Sequence, residues 1–79
     1  MNKHLVSVLA DVFGVRGDQI AIDLTKENLG SWDSLKQMDL VVSLEREFNI
    51  LLDIQDIVKM NSVKNIIEVL NGKGVELGV

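Results

Sequence analysis

The chain has 79 residues, 47% hydrophobic and 25% charged, a mixture that builds one small core and leaves too little chain for a second. Twelve acidic side chains stand against eight basic ones, for a net charge of −4. That balance weighs against nucleic acid and anionic membrane surfaces, both of which need clustered Lys and Arg, and suits a basic protein partner. Cysteine is absent, so no disulfide, zinc thiolate or cysteine nucleophile is available, and one histidine, His4, removes the commonest general base. No metal-ligand set is seen. No apolar run reaches the roughly 20 residues that span a bilayer. Met1 to Leu5 lack the apolar stretch of a secretory signal, so a cytoplasmic location is expected.

The first periodic segment covers about 2–13. Leu5, Leu9, Val12 and Phe13 follow the spacing of one helical face, Val6 lies beside them, and Gly14 stands where a left-handed stop belongs. His4 reads as an exposed first-turn residue. In residues 15–33, Ile20, Ile22 and Leu24 alternate with polar or small neighbours, a pattern a strand would show. A lone strand has no ladder partner in a helical chain, so an extended loop pinned by its apolar residues is expected. Loops of that length usually carry function.

The second helix is expected over 34–49. At 100° per residue, Leu40, Val41, Leu44 and Phe48 fall within an arc of about 100°, the core face. Leu35, Met38 and Val42 make a second apolar stripe, bordered by Asp39 and Glu45. Either the loop or the next helix covers this stripe, or it is open to a partner. A weaker run, Leu52, Ile54, Ile57, Val58 and Met60, reads as a short third helix over 54–59. The fourth covers 62–71, with Val63, Ile66, Ile67 and Leu70 on one face, Ser62 as cap and Gly72 as stop. Residues 72–79 are expected to fray. The whole, 1–79, is one all-α domain.

At the head of the second helix stands Leu29-Gly30-Ser31-Trp32-Asp33-Ser34-Leu35. Ser34 and Gln37 match a capping box; alternatively Asp33 caps and leaves the Ser34 hydroxyl free at the first turn. A helix start offers unpaired N–H groups and the positive end of the dipole, so it can host a phosphate on that hydroxyl. Trp32 either packs over the helix start or meets a ligand or partner.

Asp33-Ser34-Leu35, then Asp39-Leu40, Leu44-Glu45-x-Glu47-Phe48 and Ser62-Val63, resemble the acyl carrier protein family along nearly the whole chain. The resemblance implies a four-helix bundle with a long first loop and a short third helix. It implies 4′-phosphopantetheine on Ser34, flanked by Asp33 and Leu35 and installed from coenzyme A by a phosphopantetheinyl transferase. It implies acyl groups carried as thioesters by a monomer that is not itself an enzyme. Docking on the second helix would use Leu35, Met38, Asp39, Val42 and Glu45 against basic patches of acyl-loading, acyl-transfer or condensing enzymes. Trp32, Lys36, Arg46 and Leu51-Leu52-Asp53 depart from the general fatty-acid carriers and are more similar to dedicated carriers of a local pathway.

Two other readings remain open. An unmodified helical adaptor would bind through the Leu35-Met38-Val42 stripe, and a peptidyl or aminoacyl carrier would hold a different cargo, although those more often show G-G-x-S-L where this chain has Asp33. A hydrolase using Ser34, His4 and Asp33 fails on geometry, because adjacent Asp and Ser cannot flank the base between them.

Overall fold

The computed structural model describes residues 1–78 and places four helices among them: α1 (Lys3–Phe13), α2 (Ser34–Phe48), α3 (Ile54–Lys59) and α4 (Val63–Gly72). The protein is all-α, an acyl-carrier-like helical bundle, with α1 packed on α2 and α3 beside α4.

Each helix starts where a short polar side chain can satisfy an orphan N–H group. The Asn2 side chain accepts the Leu5 N–H, Asp33 that of Lys36, Asp53 that of Asp56 and Ser62 that of Asn65. Two ends use left-handed residues: Gly14 (φ 68°) closes α1 and Asn49 (φ 54°) closes α2. The faces these caps aim inward form one core, in which Leu5, Leu9, Leu40, Leu44, Met60, Val63, Ile66 and Leu70 are fully buried. No buried side-chain polar atom among the described residues lacks a partner.

Several inner faces differ in detail from the wheel. On α1 Val8 is buried and Val6 only half so; on α4 Val69 is buried where Ile67 was expected. Phe48 is a correction: it is half-buried, not sealed in the core, because it is the last residue of α2, where the first turn of α1 packs against it. His4 supplies that cover. Its ring lies 4.9 Å from the Phe48 ring and its Nε2 lies 2.9 Å from Glu47 Oε1, so it ties α1 to α2 while staying exposed.

The long connection is a loop with one 3-10 turn (Gly17–Gln19). Ile20 is buried, Leu24 half-buried and Ile22 exposed, so only part of the alternation is used. The strand-like signal nonetheless has a physical trace. A single antiparallel bridge joins Thr25 to Ser62, with the Val63 N–H donating to the Leu24 carbonyl and the Lys26 N–H to the Asn61 carbonyl, both at 2.9 Å.

The end of the chain corrects another expectation. Leu77 is buried in the core, and its carbonyl accepts from Asn2 Nδ2 at 3.0 Å. The Val75 N–H bonds the Leu70 carbonyl, so the segment after α4 folds back instead of fraying. Val79, the last residue of the expected frayed end, lies outside the described residues.

Candidate functional site

The start of α2 is held from both sides. Ser31 Oγ donates to the Phe13 carbonyl at 3.0 Å, and Trp32, only 2% exposed, packs its ring against Phe13 at 4.5 Å between centroids. Trp32 therefore packs over the helix start. Its indole N–H donates to Gln37 Oε1 at 2.7 Å, and Gln37 Nε2 donates in turn to the carbonyls of Ile57 and Met60 at 3.0 and 3.1 Å. Gln37 thus points inward and takes no part in a capping box with Ser34.

Asp33 is the cap. Its backbone is extended (φ −107°, ψ −170°) and its carboxylate accepts the Lys36 N–H at 2.9 Å. Ser34 becomes the first helical residue; it is exposed, and no hydrogen bond among the described residues engages its hydroxyl. The first turn of α2 carries no acidic side chain of its own, and the Asp33 carboxylate at the cap takes up one of the N–H groups at the positive end of its dipole. An exposed, unengaged hydroxyl at that end fits a covalently attached phosphate group.

The second stripe of α2 is uncovered. Leu35, Met38 and Val42 are 78%, 54% and 48% exposed, so neither the loop nor α3 buries them. Asp39 is exposed alongside. Glu45 is half-buried, and its Oε2 accepts the Leu52 N–H at 2.9 Å, so this acid also anchors the connection to α3. Between α1 and α2 runs an open groove of about 330 Å³ where Lys36 and Arg46 face the same space as Asp11 and Asp39. The sequence reading did not anticipate the apolar residues beyond α2: Leu51, Ile54 and Val58 are also exposed. The spacing of Ile54 and Val58, one turn apart, was the available sign, but in a run mixing inward and outward residues it pointed nowhere by itself.

α3 is fastened by polar contacts. Asp56 pairs with Lys73 Nζ at 2.8 Å. The bond from Lys73, helped by the Asp53 backbone, holds the Asp56 carboxyl below its ordinary pKa; the same bond raises Lys73 above its own. Among the described residues no group of three His, Asp or Glu is placed to hold a metal ion, and no helix is long and apolar enough to cross a membrane.

Residues 3–70 match the family described as "Phosphopantetheine attachment site". This chain belongs to that family, whose members are carriers and not catalysts and whose group is covalently attached 4′-phosphopantetheine. Relatives of similar size bear the name acyl carrier protein. That of Cyanidium caldarium is 30% identical over 71 residues, covering 90% of this chain and 83% of its own. That of Petrotoga mobilis is 26% identical over 71 residues, covering 90% and 84%. The chain is also 31% identical over 72 residues, 91% of its length, to 3% of the methylphloroacetophenone synthase of Cladonia uncialis.

Proposed function

We propose that this carrier bears its phosphopantetheine on Ser34 and presents acyl intermediates to successive enzymes through the exposed face of α2. The observation that carries the site is the division of labour at the helix start: Asp33 does the capping, and Ser34 offers a solvent-facing hydroxyl at the positive end of the dipole. When bound, the group supplies a terminal thiol on a flexible arm that holds an acyl chain as a thioester. The residues of the chain do the rest. Asp33 and Leu35 flank the attachment point, and Asp33 keeps the first turn wound so that Ser34 stays exposed. The first-turn N–H groups and the dipole favour the phosphodiester charge. A tether of this kind raises the effective concentration of cargo at each docked enzyme.

Leu35, Met38 and Val42 supply apolar contact area, and Asp39 and Glu45 meet basic groups on the phosphopantetheinyl transferase and on acyl-loading, acyl-transfer or condensing enzymes. An acyl cargo is favoured over a peptidyl one by Asp33 before Ser34 and by the names of the two relatives of matching size.

The test is intact mass after incubation with coenzyme A and a broad-specificity phosphopantetheinyl transferase. The wild type is expected to gain one phosphopantetheinyl group and Ser34→Ala none, with the two melting within a few degrees of each other because Asp33, not Ser34, caps α2. Modification of Ser34→Ala would move the site elsewhere. An unmodified wild type would return the chain to an adaptor role.

A further inference from the structure

α3 is a six-residue helix with no fully buried side chain. A helix that short does not stand on its own backbone bonds; besides the Asp56–Lys73 pair and the half-buried Ile57, what holds it is the satisfaction of its ends. Its start is closed locally, by the reciprocal bonds of Asp53 and Asp56. Its end is closed from two other elements: Asn65, on α4, donates to the Lys59 carbonyl at 3.0 Å, and α2 supplies the rest. Gln37, on α2, donates one N–H to the Ile57 carbonyl and one to the Met60 carbonyl, acceptors that a helix terminus leaves underused. The remaining valence of the same amide is filled by the Trp32 indole N–H at 2.7 Å, the shortest of the three bonds. With Oε1 occupied by that donor, the NH₂ group has to face α3. Trp32 lies two residues before Ser34 and Gln37 one helical turn after it, so a single amide joins both sides of the attachment point to α3.

The consequence reaches the surface. Leu35, Met38 and Val42 on α2 and Ile54 and Val58 on α3 are all exposed apolar residues. They can meet a partner as one face only if α3 keeps a fixed place relative to α2. We propose that Gln37 is a positioning residue that locks the end of α3 to α2 one turn from Ser34, and so sets the joint surface on which partner enzymes dock. This rests on the carrier reading given above for the docking role, while the lock itself stands on the three bonds alone.

Two variants separate the outcomes. Gln37→Met removes all three bonds with little change in side-chain length. Gln37→Glu keeps the acceptor for Trp32 but sets a carboxylate against two carbonyls. Amide exchange on the full-length apo protein is expected to accelerate roughly tenfold at Ile57 to Met60 in both, with Leu9 and Leu70 within about threefold of wild type. In kinetics with coenzyme A and a broad-specificity phosphopantetheinyl transferase, KM for the carrier should rise about tenfold with kcat within about twofold. Unchanged α3 exchange in both variants, or equal loss of protection in α1 and α4, would overturn the lock. Faster α3 exchange with an unaltered KM would overturn its role in docking. A wild type that the transferase does not modify would instead overturn the Ser34 reading, and exchange would still decide the lock.

Discussion

Leu44 and Phe48 lie one turn apart on the inner side of α2, yet only Leu44 is sealed from water. Leu44→Ala is expected to cost about 3 kcal/mol, as deletion from a closed core, and Phe48→Ala about 2 kcal/mol, below the usual range for a buried phenylalanine. Urea denaturation of the two variants checks the order, and a larger loss for Phe48→Ala would contradict it. The helical wheel put both on the same arc because angle is all it measures. It does not register that Phe48 is the last residue of α2, covered there by the exposed His4 ring from the first turn of α1. The attachment point shows the same limit at closer range. Asp33 and Ser34 are both good caps by type, and only the extended backbone at Asp33 breaks the tie. The serine was legible in the motif; its freedom was not.

α1, α2 and α4 were readable from the chain because each has an apolar period, a capping side chain and a stop. α3 was legible too, as a weaker apolar run over 54–59, but what fastens it and the segment after α4 was not, since polar bonds between distant residues hold them and periodicity carries no sign of those. The Asp56–Lys73 pair makes this testable. A carboxyl with a depressed folded pKa stabilises above its unfolded pKa and loses that contribution as pH falls through the folded value. A lysine with a raised pKa stabilises below its unfolded value and loses it as pH rises through the folded one. The pair therefore contributes between about pH 4 and about pH 10.5. Lys73→Met should melt below wild type across that window, with the gap closing at both extremes. A gap that stays constant with pH would show that Lys73 acts through its packed stem and not its charge. The segment after α4 carries the same lesson: nothing in its short, glycine-rich sequence announces that Leu77 enters the core or that Asn2 holds it there.

At the scale of the molecule, a net charge of −4 gives long-range attraction to basic partners, but the face around Ser34 is mixed, with Lys36 and Arg46 beside Asp39. Asp39→Lys is expected to leave the melt unchanged, since the side chain is exposed, and to weaken transferase docking about tenfold at low salt, with the gap narrowing as ionic strength rises. Equal KM values for both proteins at low salt would remove the acidic contact from the docking face. Overall charge and composition excluded more than they assigned, and it was the motif at the helix start that pointed to the chemistry. The position of Trp32 has a use of its own. As the chain's one tryptophan, enclosed by Phe13 and by the amide that reaches α3, it is a native fluorophore two residues from the proposed site of attachment. Its emission is expected to shift when α3 moves or the helix start loosens, so binding of a partner without tryptophan can be titrated on the unlabelled protein.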